Sequence, residues 1–341
     1  MRIVPATRRG FLRRGIASAA AVGLANTGHP GFAFGDVNPL DDEDHGLPAL
    51  DPTARSIPIL DTHIHLWDLN RFHLPWLKNA NTLNRSFLPA DYGRAVEGLA
   101  VTKGLYMEVD VAEAEQSQEL EYVLEQCEKR EIPLVGGIVS GRPAAPGFDH
   151  WVEKLHAHPR IRGIRQVLHG DSTPRGFCLQ PAFTQGVKRL GEAGLTYDLC
   201  VRSAELPDAA VLVDRCPNTQ FVLDHCGNAS VQSPDLSAWK ADLLEIAKRP
   251  NVAVKVSGVI ATVKDRPWTP ETLRPIVSHT LDAFGPDRVV FGGDWPVCTL
   301  GATLRQWILA LHAIVHDRPL GDRRKLFHDN AVQIYGLKVA S

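Results

Sequence analysis

The sequence predicts an α/β protein with a parallel (β/α)8 barrel of the TIM type. From residue 57 onward, eight short runs rich in β-branched residues alternate with longer stretches in which apolar residues recur at intervals of three and four. The runs are IPILDTHIH (57 to 65), KGLYMEVDV (103 to 111), IPLVGGIVS (132 to 140), IRGIRQVL (161 to 168), LTYDLCV (195 to 201), QFVLDHCG (220 to 227), NVAVKVSG (251 to 258) and RVVFGGDW (288 to 295). Each is apolar enough to be buried on both faces, as barrel strands are. No Gly-x-Gly-x-x-Gly segment follows the first run, which disfavours a doubly wound sheet.

Composition limits the classes of partner. The chain has 341 residues, of which 44% are hydrophobic and 22% charged, so it can bury a large core. A formal charge of -2 and a pI near 6.7 give no electrostatic reason to expect nucleic acid as a partner. The six cysteines include no Cys-x-x-Cys pair, which excludes a zinc knuckle and favours buried free thiols. A small molecule is the expected ligand.

The N-terminus resembles a twin-arginine export signal. Arg8 and Arg9 precede a weakly apolar run from Ile16 to Ala25, which is far shorter than the roughly 20 residues that a membrane span requires. Residues 1–35 are therefore predicted to be a signal peptide read by the twin-arginine machinery, with the mature protein in the periplasm or exported and without stable membrane insertion. The alternatives are a membrane anchor and a disordered basic tail.

The rest of the chain divides into two predicted parts. Residues 36–56 contain three prolines and the acidic string DDED, as expected of a solvated linker. Residues 57–338 are predicted to form the barrel as one domain.

Polar residues recur where the predicted strands end. They are His63 and His65 in the first run, Glu108 and Asp110 in the second, Arg165 and Gln166 in the fourth, Asp198 in the fifth, His225 in the sixth, Lys255 and Ser257 in the seventh, and Asp294 in the eighth. Any one of these could be structural. Because the carboxyl ends of barrel strands line the active-site mouth, their recurrence predicts a catalytic rim. Alternation along the first strand also predicts that Asp61, His63 and His65 share one face.

These residues carry a family resemblance. His-x-His in the first run with Asp294 closing the eighth resembles the amidohydrolase superfamily. The strings GIRQVLH (163 to 169), YDLCVR (197 to 202), FVLDHCGN (221 to 228), NVAVKVSG (251 to 258) and FGPDRVVFGGDWPVC (284 to 298) are similar to the sugar lactonases of that superfamily. This branch includes L-fuconolactonase, L-rhamnono-lactonase and 2-pyrone-4,6-dicarboxylate lactonase. The resemblance implies a hydrolase that opens a small lactone, a sugar lactone above all, to the hydroxy acid.

One departure from the superfamily bears on the metal. Binuclear members place a lysine on strand four and histidines on strands five and six, whereas this chain has Arg165 on strand four and Asp198 on strand five. The resemblance therefore implies at most one divalent ion, zinc first. The candidate ligands are His63, His65, Asp294 and Glu108. A metal-free mechanism stays open, because one lactonase of the branch works without metal.

Ester chemistry suggests the remaining roles. Asp294 is the predicted general base, and His63, His65 and His225 are predicted to stabilise the carbonyl oxygen directly or through the metal. The predicted substrate-binding residues are Arg165, Lys255, Asp198, Trp67, Trp76 and His169. Cys226 is out of phase with His225, so a core thiol is a better interpretation than a nucleophile.

Three other functions compete with the lactonase. An amide hydrolase uses the same parts as an ester hydrolase, and sequence does not separate the two. A metal-dependent decarboxylase of the superfamily needs a strand-five histidine that TYDLCV lacks. A binding barrel without catalysis has no need of Asp294 and His225 together.

Overall fold

The computed structural model describes the barrel region and little of what precedes it. The described residues are 47, 49–50, 52–79, 82–170 and 173–338. The predicted signal segment lies outside them, as does most of the predicted linker. The described end of that linker forms helix α1 (Pro52–Arg55), in which Ala54 is buried. Among the described helices, none combines the length and apolar character needed to cross a membrane.

Eight parallel strands form one sheet in sequential order. They are β1 (Ile59–Ile64), β2 (Val101–Met107), β3 (Leu134–Ser140), β4 (Ile161–Val167), β5 (Thr196–Cys200), β6 (Phe221–Leu223), β7 (Val252–Val256) and β8 (Val289–Phe291). The segment after β8 returns to β1, where the Asp294 amide donates to the His63 carbonyl at 2.9 Å and the His65 amide to the Trp295 carbonyl at 2.8 Å. All eight predicted strands are present, and the predicted barrel is confirmed.

Helices follow the strands and cover the outside of the barrel. After α1 they are α2 (Pro89–Ala95), α3 (Gln116–Lys129), α4 (Phe148–His156), α5 (Pro181–Glu192), α6 (Leu206–Arg215), α7 (His225–Asn228), α8 (Ser237–Ala247), α9 (Pro270–Phe284), α10 (Leu304–Ile314), α11 (Leu320–Arg324) and α12 (Asn330–Ile334). The short segment α7 is a turn of residues with positive φ and not a covering helix. Short 3-10 turns occupy several loops, and a π-helical turn, Lys325–Asp329, joins α11 to α12. The strands are consequently buried on both faces, which explains why their sequences read as continuous apolar runs.

A small apolar cluster fills the bottom of the barrel and sets the height of the polar layer. Ile138, Val222 and Val290 belong to it, together with Tyr335 from the C-terminal segment. Side chains alternate along a strand, so the next position on the same face lies two residues further towards the carboxyl end. On β3 and after β6 these positions hold Ser140 and Asp224, both buried. The inward face therefore changes from apolar to polar one step above the floor.

Gly163 allows β4 to approach β5 closely. A Cβ at this position would lie 2.4 Å from the Thr196 carbonyl oxygen, which belongs to the neighbouring strand. No side chain can be added there unless the strands separate. Gly163 also lies two residues before Arg165 on the same strand, so its close packing helps to fix the position of that arginine.

We therefore expect Gly163→Ala to destabilise the protein by about 1–3 kcal/mol, the usual cost of overpacking a core. Urea unfolding followed by circular dichroism measures this. Gly170→Ala is the control, because a Cβ at Gly170 meets no atom within 4 Å, and it should stay within about 0.5 kcal/mol of wild type. Equal stability of the two variants would contradict the packing argument.

Candidate active site

Two histidines at the end of β1 reach the mouth of the barrel because this strand departs from regular alternation. The register of β1 against β2 shifts between Asp61 and Ile64, which marks a bulge. His63 lies within this shift and His65 directly after it, and their ring centroids are 4.8 Å apart. The prediction that Asp61 shares their face is wrong. Its carboxylate accepts from Tyr92 Oη of α2 at 3.0 Å and from the Gly293 amide at 2.7 Å, away from the imidazoles.

Asp294 lies between the two histidines, as predicted. Its Oδ1 is 3.6 Å from His63 Nε2 and 3.4 Å from His65 Nε2. His65 Nδ1 lies 3.1 Å from the Met107 carbonyl, which can only accept, so Nδ1 carries the proton and the Nε2 lone pair faces Asp294. Asp294 itself has a left-handed backbone with φ of 55°, a conformation that is rare for aspartate and concentrated at functional sites.

The carboxyl end of β6 contributes two residues. Asp224 follows the strand directly, and His225 and the next two residues all have φ between 50° and 70°, which turns the chain so that His225 also reaches the site. The His225 ring lies 4.6 Å from that of His63, and its Nδ1 is 2.9 Å from Ser257 Oγ. Sequence reasoning named His225 but missed Asp224. Alternation from the inward Val222 would have identified Asp224.

Glu108 is bound to an arginine and is not placed as a metal ligand. Its Oε1 accepts from Arg165 Nε at 2.6 Å, and its Oε2 accepts from Ser140 Oγ at 2.8 Å. Burial alone would raise the pKa of Glu108, but Arg165 and Arg142 outweigh it and lower that pKa. Because both oxygens are occupied, the predicted metal role of Glu108 is corrected to that of an anchor for Arg165.

Arg165 is correspondingly turned inward. Its Nη1 lies 3.2 Å from His63 Nε2 and 3.4 Å from Asp224 Oδ2, and the residue is 4% exposed. Glu108, Asp224 and His63 all contact its guanidinium group and fix its position. The structure therefore assigns Arg165 to the wall of the site, where it contacts a histidine, and the predicted contact with substrate is not favoured.

Lys255 and Asp198 form an ion pair inside the barrel, below the histidines. Lys255 Nζ lies 2.6 Å from Asp198 Oδ2, and both residues are fully buried. Tyr335 Oη donates to the same carboxylate at 2.9 Å, so the pair is tied to the floor of the barrel. Burial raises the pKa of Asp198, and Lys255 opposes this rise. The structure assigns the pair to the support of the site, and its contact with substrate stays a prediction.

The predicted contact of the two tryptophans with substrate is also corrected in part. Trp67 is fully buried, and its indole nitrogen donates to the Arg85 carbonyl at 2.5 Å, so it packs in the core. Trp76 is partly buried and donates to the Val109 carbonyl at 2.8 Å. His169 is exposed after β4, which leaves it free to meet a ligand at the rim.

The cysteines are structural. All six are described, free and buried, as predicted. Cys226 is fully buried, and burial raises the pKa of its thiol to about 12. A thiol that stays protonated at neutral pH is a poor nucleophile, so the interpretation of Cys226 as a core residue is confirmed.

Within the part of the chain that the structure describes, two overlapping groups of side chains could hold a metal ion. One consists of His63, His65 and Asp294, the other of His63, Asp224 and His225, and within each group the ligand atoms lie within 4.8 Å of one another. Burial and then Lys255 hold the pKa of His63 well below its ordinary value, so the ring is neutral and has a lone pair to offer. Two imidazoles and a carboxylate suit a catalytic zinc ion.

The charge balance favours a divalent cation and the first group. Around His63 lie four buried carboxyl groups, those of Glu108, Asp198, Asp224 and Asp294, and two cations, Arg165 and Lys255. Counted as ionised, the carboxyl groups leave at most two excess negative charges, since burial raises the pKa of Asp198. Asp224 already has both cations beside it, with Arg165 at 3.4 Å and Lys255 at 3.2 Å. Asp294 has His63 and His65 beside it, and among the described residues no lysine or arginine lies within ion-pair distance of its carboxylate. Asp294 is therefore less neutralised by fixed cations than Asp224, although Arg165 also approaches His63 Nε2 at 3.2 Å.

A barrel with two histidines on its first strand and an aspartate after its eighth is the arrangement that the sequence predicted for an amidohydrolase. A family model described as amidohydrolase matches residues 60–337. The chain belongs to this family.

Relatives and solved structures agree with this assignment. An L-fucono-1,5-lactonase of Burkholderia multivorans is 29% identical over 82% of this chain and 96% of its own length. An L-rhamnono-gamma-lactonase of Scheffersomyces stipitis is 23% identical over 52% of this chain and 59% of its own. A zinc-bound amidohydrolase structure from Burkholderia multivorans has a TM-score of 0.74 at 26% identity, covering 82% of this chain and 99% of that one.

A more distant likeness shows the fold alone. A 5-carboxyvanillate decarboxylase structure from Sphingomonas paucimobilis has a TM-score of 0.61 at 13% identity, covering 83% of this chain and all of that chain.

The first ligand group generates a binding prediction. His65→Ala should weaken the binding of zinc at least a hundredfold, because it removes a ligand, and even outer-shell partners are worth 10–100-fold. Competition with a chromogenic chelator measures the affinity. His150→Ala is the control, since that imidazole is 88% exposed on α4, and it should bind zinc as wild type does. Unchanged affinity in His65→Ala would place the ion in the group that contains Asp224 and His225.

Proposed function

We propose that the protein is a hydrolase that opens a small sugar lactone to the hydroxy acid by attack of water on the polarised carbonyl. The observation that carries this proposal is a buried carboxylate, Asp294, held beside two imidazoles at the carboxyl ends of the barrel strands. Catalytic groups of barrel enzymes occupy this face. The lactonase names of the relatives matched over most of their length support the substrate class.

Zinc is the metal that this site would hold. His63, His65 and Asp294 would be its ligands in this chain, and the structural neighbour at 26% identity contains zinc. When bound, zinc supplies Lewis acidity that polarises a carbonyl and eases the deprotonation of water. The excess of negative charge in the buried layer is consistent with a divalent cation.

Asp294 is the group to which we assign proton transfer. Its Oδ1 contacts both imidazoles, so Oδ2 is the oxygen we assign to the proton of the attacking water. The same oxygen can return that proton to the alkoxide that leaves when the ring opens. In a lactone the alkoxide stays tethered to the acyl group, so one base can serve both steps without the leaving group diffusing away.

His225 contributes a third imidazole to the site. Burial lowers its pKa, although Asp294 opposes the shift, and the ring is neutral at neutral pH. When the Ser257 hydroxyl donates to Nδ1, the proton of His225 lies on Nε2, where it can donate to the carbonyl oxygen or to a sugar hydroxyl. His225 is partly exposed, unlike His63, which suits a direct contact with substrate.

The competing functions are less well supported. The decarboxylase neighbour shares only the fold, and β5 places Asp198, not a histidine, in the barrel. The curated relatives that carry an activity name are lactonases. An amidase would use the same groups, but no named relative points to it.

Asp294→Asn should lower the turnover of L-fuconolactone about a hundredfold or more while the fold persists, because the amide keeps the shape of the carboxylate but not its basicity. A pH-stat assay measures the rate. Asp287→Asn is the control, since that side chain is 73% exposed and pairs with Lys325. Hydrolysis at the wild-type rate by Asp294→Asn would refute the mechanism.

We also propose that residues 1–35 direct export through the twin-arginine machinery, on the sequence pattern alone. Replacing Arg8 and Arg9 by lysine keeps the charge but removes the paired arginines. The variant should accumulate in the cytoplasmic fraction, whereas the wild-type chain should appear in the periplasmic fraction. Equal periplasmic amounts of the two proteins would rule out the signal.

A further inference from the structure

His63 is contacted by two groups that only donate protons and by two that only accept them. Lys255 Nζ lies 3.3 Å from its Nδ1, and Arg165 Nη1 lies 3.2 Å from its Nε2. Asp224 Oδ1 is 3.5 Å from Nδ1, and Asp294 Oδ1 is 3.6 Å from Nε2. A neutral imidazole has one N–H and one lone pair, so it cannot satisfy all four neighbours at once.

Only two arrangements of the proton are consistent with these neighbours. In the first, Nδ1–H points to Asp224, and the lone pair lies on Nε2, where it faces Asp294 and accepts from Arg165 when no cation is bound. In the second, Nε2–H points to Asp294 and Nδ1 accepts from Lys255. The site of the proton therefore decides which face of the ring can bind a cation.

His65 shows which arrangement a shared ion requires. Its proton is held on Nδ1 by the Met107 carbonyl, and its Nε2 lone pair faces Asp294. An ion held by His63, His65 and Asp294 together needs the Nε2 lone pair of His63 as well. Only the first arrangement supplies it.

We propose that Asp224 is a positioning residue that accepts the Nδ1–H of His63 and thereby keeps the Nε2 lone pair available to the metal. This inference rests on the metal site of the proposed function. Asp224 Oδ1 is buried and, within the described residues, has no hydrogen bond of standard geometry, although Lys255 lies 3.2 Å away. The proton of His63 supplies the missing donor. Lys255 keeps its 2.6 Å contact with Asp198, and Arg165 keeps both of its contacts with Glu108 when the lone pair binds a cation.

The role assigned to Asp224 differs from that of a ligand. Carboxylates that orient a ligating histidine through its other nitrogen are common around protein zinc sites, and their loss costs 10–100-fold in affinity. Asp224 is held by two cations and lies at Nδ1, the nitrogen on the far side of the ring from Asp294. It is therefore placed to orient His63, and not to join the ion that Asp294 binds.

Asp224→Asn in the full chain tests this role. We expect zinc affinity, measured by competition with a chromogenic chelator, to fall about 10–100-fold, because the amide can rotate to donate to Nδ1 and so favour the proton on Nε2. Glu205→Gln is the matched control. It also converts a buried, arginine-paired carboxylate into an amide, but the contacts of Glu205 are with Arg202 at 2.7 Å and the Gly176 amide at 3.1 Å, outside the layer around His63. We expect its zinc affinity to stay within about threefold of wild type.

Two results would overturn the proposal. Equal losses of affinity in the two variants would show that buried charge alone matters. A loss beyond about a thousandfold in Asp224→Asn alone would make Asp224 a ligand, because it exceeds the range for outer-shell partners.

A second measurement does not depend on the folding of any variant. Nitrogen-15 NMR of histidine-labelled, zinc-loaded wild-type protein reports which ring nitrogen carries the proton, and the His63 signals are assigned by their loss in His63→Gln. We expect the proton on Nδ1. A proton on Nε2 would overturn the proposal. Neither experiment uses a substrate, so failure of the lactonase assignment leaves the result interpretable.

Discussion

The site depends on a layer of buried charges that surrounds His63. Glu108 holds Arg165, Asp198 holds Lys255, and Asp224 lies between the two cations. Each charge would cost several kcal/mol to bury alone, and removing one partner of such a pair leaves the other uncompensated. The layer is therefore stable only as a whole. This fixes the surroundings of the His63 ring more firmly than packing alone could, since the position of each cation is set by charge-assisted hydrogen bonds.

The barrel holds this layer in place because neighbouring strands present their polar residues at the same height. Alternation places apolar residues at the floor and polar residues one step above it on neighbouring strands. Three departures from regular strand geometry then set the direction of the side chains at the mouth. They are the shift in β1 around His63, the left-handed residues from His225 onward, and the left-handed Asp294. Each departure is costly in isolation, by about 1–3 kcal/mol for a strained residue, and the surrounding hydrogen bonds hold it in place. The backbone bonds between Asp294 and His63 both close the barrel and set the two ligands beside each other.

Much of the fold could be predicted from sequence because each strand carries its own signal. The apolar runs and the helical spacing between them are local patterns, and they specified eight units without any knowledge of contacts. The residues at strand ends followed from the same logic, which is why His63, His65, His225 and Asp294 were found. Partners could not be predicted in this way. Whether Glu108 binds a metal or an arginine depends on what lies across the barrel, and the pattern of one strand holds no such information.

The register shift around His63 could not be predicted for the same reason. Strict alternation placed Asp61 on the face of the histidines, and only the pairing with β2 reveals the shift that separates them. Asp224 differs, because alternation from Val222 does predict that its side chain faces inward. Only His225 was predicted for the site from this strand end.

The arginine on strand four explains why the described site fits one ion and not two. A guanidinium stays protonated at any ordinary pH and has no lone pair to offer a metal. Glu108, beside it, gives both carboxylate oxygens to protein donors. The two candidate ligand groups share His63, whose single lone pair can serve only one ion. The Nδ1 side of that ring faces Lys255 and Asp224, and the Nε2 side faces Arg165 and Asp294, so the choice of nitrogen is also the choice of ligand group. Arg165 is thus both the departure from the binuclear pattern and one of the charges that crowd His63. This fixed cation fills the space in which a second metal ion would need ligands.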